Sequence, residues 1–313
     1  MPDLAVWGGG LPVSGRRLLV IHNPVAGARR RRRFRGVLEA LEAGGARVTV
    51  RDTTGRGDAE RIAREVDAAG MDAVVAAGGD GTVNEVVNGL LARPAGGGGT
   101  GGKGVPPLGV LPLGTANVLA WELGLPFDPA GLAAVLGSAP ARRAHLGLAN
   151  GRAFAMMAGV GLDARVVEQV DPVLKRLAGK GAYAVETMRQ ILFHRPSSYR
   201  VAVDGQEWEV GAVIMAKGRF YGGRFVCAPR ASLAERGLQV CLFSRIGRWH
   251  ALRYTAGVVL GTIGGMRDYA VVPAERVTVT GPEGDAVQGD GDVIARLPLT
   301  VSVSPHPLPV LAP

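Results

Sequence analysis

"AAGGDGTVNEVVNGL", residues 76–90, sets a carboxylate, Asp80, between glycines where an apolar run stops, and a helix-like pattern follows at once. The run ahead of it is short and rich in β-branched residues, which predicts a strand. Gly78 and Gly79 end that strand, and Thr82-x-x-Glu85 has the spacing of a capping box opening the next helix. A strand that turns through glycines into a helix leaves backbone amides and the positive end of the helix dipole facing outward. With no Cβ in the way, an anion such as phosphate can approach closely. Asp80 would repel that anion unless a divalent cation lay between them, because Mg²⁺ typically takes one or two carboxylates together with phosphate oxygens and water. The same residues also read as a tight turn and a helix cap with no ligand, and the stretch alone leaves both readings open.

The device recurs. "GVLPLGTANVLAWEL" (109–123) repeats it with Gly114, Thr115 and Asn117, and "LVIHNPVAGARR" (19–30) offers Asn23 and Gly27, although Asn-Pro is also an ordinary turn signal. "RLLVIHN", "ARVTVRD", "DAVVAAGG" and "LGVLPLG" are each followed by a plausible helix, an alternation that implies a parallel sheet in the first 140 or so residues. In "DAERIAREVDAAG", Asp58 is placed to cap a helix whose Ile62, Val66 and Ala69 recur on one side. Turns from neighbouring parallel strands converge on one crevice at the carboxyl ends of the sheet.

Past residue 144 the texture changes to short alternating runs with hairpin signals at Asn150-Gly151, Asp204-Gly205 and "VQGDGDVIARLPLTVSV" (287–303), which predicts mainly antiparallel β structure. A helical interlude is expected from about Asp163 to Phe193, and "HALRYTAGVVLGTIGGM" (250–266) is a second helical candidate despite its glycines. The reading is two domains: an α/β domain over 14–143, which the tail 305–313 is available to rejoin, and a β-rich domain over 144–304, with a cleft between them. "ARPAGGGGTGGKGVPP" (92–107) has too little apolar surface to pack and reads as a flexible excursion.

Composition bounds the partners. The 313 residues are 47% hydrophobic, enough for well-buried cores, and carry 36 Lys and Arg against 27 Asp and Glu, a formal charge of +9. Such a balance favours phosphorylated ligands, polyanions or anionic membrane surfaces without choosing among them. Arg29 to Arg33 with Arg35 form the densest basic cluster, which on a helix would point all around and read either as a solvated face or as an anion contact. Cys227 and Cys241 are the only cysteines and suit buried thiols in a reducing compartment rather than a disulfide framework or zinc site. The N-terminus lacks a secretory pattern, and no run approaches the about 18 apolar residues of a membrane span. The expectation is a cytoplasmic protein, soluble or peripheral to a membrane. The phosphate-binding G-x-x-x-x-G-K-[ST] loop, a complete G-x-G-x-x-G after a strand and the protein-kinase motifs are all missing.

Taken together, "HNPVAG" (22–27), "GGDGTVNEVVNGL" (78–90), "LPLGTANVLA" (111–120), "AGVGLDA" (158–164), "YGGRFVCAP" (221–229) and "GDGD" (289–292) resemble the diacylglycerol kinase catalytic-domain family of lipid kinases, in family order and over nearly the whole chain. The family includes bacterial diacylglycerol kinases, sphingosine kinases and ceramide kinases. The resemblance implies an N-terminal α/β domain like those of phosphofructokinases and NAD kinases, a β-sandwich-like second domain, and ATP with Mg²⁺. It places Asn23, Gly27, Thr54 (or Thr53), Gly78, Gly79, Gly81, Thr82, Asn84, Glu85, Gly114, Thr115 and Asn117 around the nucleotide, with Asp80 working with Mg²⁺. It makes Asp290-Gly291-Asp292 the acceptor-activating site, because a lipid hydroxyl is a poor nucleophile until a carboxylate takes its proton. Either Asp290 or Asp292 is available as that base, and "GDGD" also reads simply as a hairpin turn.

The chain departs from the family pattern at several positions. Val118 and His145 stand where many relatives carry aspartates, and Asp292 replaces the usual glutamate. Arg236 replaces an aspartate that in relatives helps bind a structural metal, and its guanidinium is the expected substitute cation. Lys217, at a common Asn position, is expected either to meet a phosphate or to face solvent. The function implied is an ATP-dependent lipid kinase acting on the primary hydroxyl of a membrane lipid, diacylglycerol first and ceramide or a sphingoid base second. Two further classes stay open: a soluble-substrate kinase like the NAD kinases, and a catalytically silent nucleotide- or lipid-binding regulator. The partners expected are a lipid substrate and the anionic inner face of a membrane, a homodimer being possible and nucleic acid not expected.

Overall fold

Four short apolar runs, each leading into a helix, build the parallel sheet of the first half. The protein is described by a computed structural model over residues 15–25, 30–67, 70–93, 104–169, 186–191 and 197–313. It divides into two units, one of residues Met1–Ala144 with His306–Pro313, the other of His145–Pro305. Gly27, Ala69, most of the glycine-rich 92–107 stretch and the middle of the 163–193 interlude lie outside the described residues.

In the first unit, β1 (Arg17–His22), α1 (Arg31–Ala43), β2 (Arg47–Asp52), α2 (Asp58–Arg64), β3 (Ala73–Gly78), α3 (Asp80–Leu91), β4 (Leu108–Pro112), α4 (Val118–Glu122), α5 (Pro129–Ser138) and β5 (Ala141–Ala144) follow in order. The final strand of the chain, β20 (Leu308–Leu311), returns to complete a six-stranded sheet in the order β2-β1-β3-β4-β20-β5. β1 to β4 and β20 run parallel, and β5 pairs antiparallel with β20. Every residue of β3 and β4 is buried, which is why their sequences are unbroken apolar runs, whereas β2 is an exposed edge. The order reverses between β1 and β3, so the crevice outside the carboxyl ends of these strands is the topological switch point. Asn23 lies in the turn after β1, Asp80 in that after β3 and Gly114 in that after β4.

Two cap assignments differ from expectation. Thr82 is not a cap: Gly79 takes the N-cap position of α3 and Thr82 stands inside its first turn. Nor does Asp58 cap α2; Gly57, at φ +85°, precedes it, and the carboxylate of Glu85 accepts from the amides of Gly57 (2.9 Å) and Ala59 (3.2 Å). Glu85 therefore caps the helix beside its own. The two helices touch closely, and a Cβ on Gly89 would come within 2.3 Å of the Glu60 carbonyl.

The second unit stacks two antiparallel six-stranded sheets. One runs β10 (Gln206–Val210), β9 (Tyr199–Val203), β16 (Arg276–Thr280), β19 (Leu299–Val303), β6 (Gly147–Ala149), β7 (Arg152–Phe154). The other runs β15 (Tyr269–Ala274), β14 (Leu238–Phe243), β11 (Ala212–Ala216), β8 (Met157–Val160), β17 (Ala286–Gly289), β18 (Asp292–Arg296). A small hairpin, β12 (Phe220–Tyr221) with β13 (Phe225–Val226), stands apart from both. Phe154, Tyr199, Val213, Val240, Val277 and Val301, from both sheets, share one core. The alternating strands thus bury one face each, as a sandwich requires. Helix α6 (Leu162–Gln169) is anchored by Arg165, which donates to Asp285 at 2.8 Å and to the Tyr199 hydroxyl at 3.0 Å. Helix α7 (Arg248–Leu260) follows β14. Cys227 and Cys241 are free and buried.

Candidate active site

The three turns at the carboxyl ends of β1, β3 and β4 are tied to one another. Asn23 donates from its backbone to Ala77 (2.9 Å) and from its side chain to the Thr82 hydroxyl (3.2 Å), and the Leu113 amide donates to Gly78 (2.8 Å). Gly79 and Gly114 meet back to back: a Cβ on Gly114 would lie 2.4 Å from the Gly79 Cα, closer than side chains ever come. A Cβ on Gly78 would strike the Thr82 hydroxyl at 2.4 Å. Gly79 and Gly114 are required by contact between backbones and Gly78 by the Thr82 side chain, and φ at Gly79 is an ordinary −92°.

Asp80 has a use that its neighbours in sequence do not reveal. Its carboxylate accepts from the amides of Asn117 (2.9 Å) and Val118 (2.7 Å), so it caps the start of α4 from across the crevice. Asn117, at φ +49°, holds the turn by donating from its side chain to Gly114 (2.8 Å), and its side-chain oxygen is buried without a partner. The residue at 118 contributes its amide to Asp80, which valine supplies as well as aspartate. Among the described residues no group of three or more His, Cys, Asp and Glu is placed to hold a metal by itself. A single carboxylate at the start of a helix fits a Mg²⁺ carried mainly by phosphate oxygens, with Asp80 as its protein ligand.

The remaining nucleotide candidates separate. Thr115 is exposed in the second turn. Asn84 is buried inside α3, where its backbone and side-chain oxygens both accept from Asn88. The hydroxyl and amide of Thr54 both donate to Asp58, holding that carboxyl down to about 2. Two arginines of the basic cluster turn inward rather than to solvent: Arg30 donates to the Leu113 carbonyl and Arg33 to that of Pro112 (3.3 Å). They brace the end of β4.

In the second unit, Asp290 and Gly291 form the two-residue turn between β17 and β18, with φ of +52° and +89° as such a hairpin demands. The Asp290 carboxylate accepts from three amides in a row, Ala155 (2.6 Å), Met156 (2.9 Å) and Met157 (3.1 Å). It clamps the turn to the start of β8. Asp292, by contrast, is half-buried, and its side chain makes no hydrogen bond or ion pair among the described residues. Of the two carboxylates, Asp292 has its lone pairs available.

Asp163 was not singled out by its motif. It lies in the first turn of α6, half-buried with one carboxylate oxygen out of reach of solvent, and accepts from the Gln288 side chain at 2.8 Å. The other end of the Gln288 amide accepts from the Gly291 backbone (3.1 Å), so the acid is linked through one residue to the Asp290–Asp292 turn. Burial pushes the Asp163 carboxyl up to about 7, against the opposing hydrogen bonds from Gln288 and Tyr221. A Cβ on Gly159 would sit 2.6 Å from its oxygen. A glycine on β8 facing an acid in "AGVGLDA" was the available signal.

The two expectations about cations are both corrected. Arg236 is exposed and makes no hydrogen bond or ion pair among the described residues. The internal cation is Lys217, which neither meets solvent nor is placed for a phosphate. Its side chain is 0% exposed, and its ammonium donates to the carbonyls of Ser232 (3.1 Å), Glu235 (2.7 Å) and Gly237 (2.8 Å). All three protons are used, and burial lowers its pKa to about 8. The carbonyl cluster in this loop is already filled by a covalently tethered charge, and the residues do not fit a structural metal there.

With this geometry established, resemblance to known proteins is informative. Residues 17–149 match the diacylglycerol kinase catalytic domain, and residues 156–312 match the YegS C-terminal NAD kinase beta sandwich-like domain. The chain belongs to the diacylglycerol kinase-like lipid kinase family. A "Probable lipid kinase YegS-like" protein of Pseudomonas aeruginosa (strain UCBPP-PA14) is 33% identical over 303 residues, 95% of this chain and 94% of that one. A diacylglycerol kinase of Bacillus subtilis (strain 168) is 29% identical over 287 residues, 90% of this chain and 92% of its own. Two solved structures from Bacillus anthracis strain Sterne share the fold. One has a TM-score of 0.79 at 23% identity, covering 95% of each chain; the other, of a diacylglycerol kinase, has 0.69 at 19%, covering 95% of this chain and 97% of that one. The α/β domain with a parallel sheet and the antiparallel sandwich are thus those of lipid kinases, and the protein is a kinase.

Proposed function

We propose that this lipid kinase transfers the γ-phosphate of ATP to the primary hydroxyl of a membrane lipid, with diacylglycerol as the first acceptor to test. The observation that carries the reading is the contrast within one hairpin. Asp290 is consumed by three backbone amides, while Asp292 is held beside it with free lone pairs. A rigid turn presenting one uncommitted carboxylate is what acceptor activation needs.

In this reading the start of α3, with Gly79 and Gly81 and the turn at Gly114–Thr115, receives the phosphates on backbone amides, while Asn117 holds that turn. Gly78 lets Thr82 and Asn23 hold that turn, and Glu85 fixes the neighbouring helix. Mg²⁺, when bound with the nucleotide, would supply charge neutralisation at the phosphates, with Asp80 as its protein ligand. The lipid hydroxyl loses its proton to Asp292, its oxygen bonds to the γ-phosphorus, the bond to the β-phosphate oxygen breaks, and ADP leaves. Aspartate is one methylene shorter than the glutamate common in relatives.

The test is transfer of labelled γ-phosphate from Mg-ATP to diacylglycerol, ceramide, sphingosine and phosphatidylglycerol in mixed micelles, with soluble NAD beside them. Labelled diacylglycerol is expected. Asp292→Asn should lose about 10²–10⁴-fold in kcat with nucleotide binding retained. Labelled ceramide or sphingosine alone would move the acceptor to the sphingoid class, and labelled NAD would overturn the lipid assignment. Nucleotide binding with no transfer would indicate a silent regulator, and full activity in Asp292→Asn would remove that residue from the reaction.

A further inference from the structure

Helix α7 is apolar on both sides. Its inner face is fixed by two buried residues: Tyr254, which packs edge-on against Phe243 with ring centroids 5.2 Å apart, and Gly257, where a Cβ would lie 2.4 Å from the Met266 methyl. The opposite face should be polar in a helix that merely covers a domain. Instead Trp249, Arg253, Ala256 and Leu260 are all exposed, and their spacing of four, three and four residues puts them on one stripe. Trp249 is 77% exposed and Leu260 73%, with Val259 beside it at 54%. The β12–β13 hairpin, whose second strand lies against α7, continues the apolar surface with Phe225 and Val226.

The charge around the stripe has one sign. Residues 244–268 contain Arg245, Arg248, Arg253 and Arg267 against one acid, Asp268, a net of +3 from four arginines less one aspartate. That acid is paired with Arg253. Arg245, Arg248 and Arg267 are exposed, and so is Arg224 in the hairpin. A tryptophan and aliphatic side chains rimmed by arginines, on a convex helix rather than in a groove, have the composition of a helix that lies in a bilayer interface. The long arginine stems allow the apolar surface to sink while the guanidinium groups stay with phosphates. Two copies of the face brought together would set like charges opposite one another, which disfavours self-association.

We propose that the outer face of α7, with the adjoining hairpin, is the surface on which the protein lies on an anionic lipid bilayer. Trp249 and Leu260 enter the boundary between headgroups and acyl chains, and Arg245 and Arg248 meet lipid phosphates. The proposal rests on the lipid-kinase reading for the reason a bilayer is met at all, and it assigns the contact to this face.

The experiment is co-sedimentation of the full chain, without nucleotide, with vesicles of phosphatidylcholine plus phosphatidylglycerol and with vesicles of phosphatidylcholine alone. The wild-type protein is expected in the pellet with the anionic vesicles. Trp249→Glu with Leu260→Glu is expected to partition about a hundredfold more weakly at an unchanged melting temperature, and Arg245→Glu with Arg248→Glu to lose the preference for anionic vesicles. Unchanged partitioning of the folded double variants would overturn the proposal. So would a wild-type protein that ignores vesicles, including one that forms a dimer which Trp249→Glu with Leu260→Glu breaks. Phosphorylation of diacylglycerol in detergent micelles, run in parallel, separates the two readings. A missing vesicle interaction with intact micelle activity refutes only the docking face, and vesicle binding with no transfer to any lipid refutes only the kinase reading.

Discussion

Asp163→Asn should stabilise the protein at alkaline pH and destabilise it in acid. In the native fold burial lifts the Asp163 carboxyl from 3.8 to about 7, so between those values the folded chain holds a proton that the unfolded chain has released. Stability therefore falls as pH rises through that window; the cost is absent below the unfolded value and fully present above about pH 7. At about 1.36 kcal/mol per unit, its size is roughly 4 kcal/mol. Asparagine carries no such cost. Its oxygen can take the Gln288 hydrogen bond, but its amino group would fill the place of an oxygen that is buried without a partner. That unsatisfied donor costs about 1–3 kcal/mol at every pH.

The difference changes sign. The variant should gain about 1–3 kcal/mol near pH 8 and lose about as much near pH 4, a swing of roughly 4 kcal/mol. At about 2–4 °C per kcal/mol for a chain of this size, the Tm difference between the two proteins should move by roughly 8–16 °C across the range. Thermal melting followed by circular dichroism, both proteins in the same buffers at each pH, reads it directly. Using the difference cancels every other titrating group. A constant offset, with no crossing, would mean that Asp163 ionises alike in the folded and unfolded chains, and the argument from burial would fail.

Three further outcomes follow from the buried lysine and the paired glycine turns. Lys217→Met strips the ammonium from three carbonyls and should cost about 3 kcal/mol or more in urea denaturation, at roughly 1 kcal/mol or more for each orphaned acceptor. The wild-type melting temperature should not respond to EDTA in the absence of nucleotide, and a response would show that a metal, not Lys217, closes the 232–237 loop. Gly114→Ala puts a methyl against the Gly79 backbone, which no rotamer can relieve, and should cost about 1–3 kcal/mol together with most of the affinity for ATP. Calorimetric titration showing undiminished ATP binding would remove the paired glycine turns from the nucleotide site.

What could be read from the sequence divides along a physical line. The parallel sheet was legible because fully buried strands such as β3 and β4 must be continuous apolar runs, and the sandwich because half-buried strands must alternate. Local rules failed where a side chain serves a distant part of the chain. Thr82-x-x-Glu85 has capping-box spacing, but spacing counts positions along one helix and cannot register that Glu85 faces the bare amides of another. The missing aspartate at 236 was visible, yet the charge that fills the carbonyl cluster comes from the end of β11, where nothing in the spacing points to it. The choice between Asp290 and Asp292 is invisible in "GDGD", since both are equally acidic. What sets them apart is three amides at 155–157, which bind Asp290 and which only the sheet brings near.

The acid between the glycines ties these points together. A divalent cation between Asp80 and phosphate was the explanation that the sequence suggested, and a turn without ligand was the rival. The geometry makes them compatible. By capping α4 from the first residue of α3, the carboxylate ties together the two glycine turns at the ends of β3 and β4. A neutral amide at position 80 would disturb the brace as well as the proposed metal ligand, since one of its two terminal atoms is a donor and would confront an N–H of Asn117 or Val118. Loss of activity on replacing Asp80 by Asn is therefore no measure of metal binding alone. Only a dependence of that loss on Mg²⁺ concentration distinguishes the ligand from the brace.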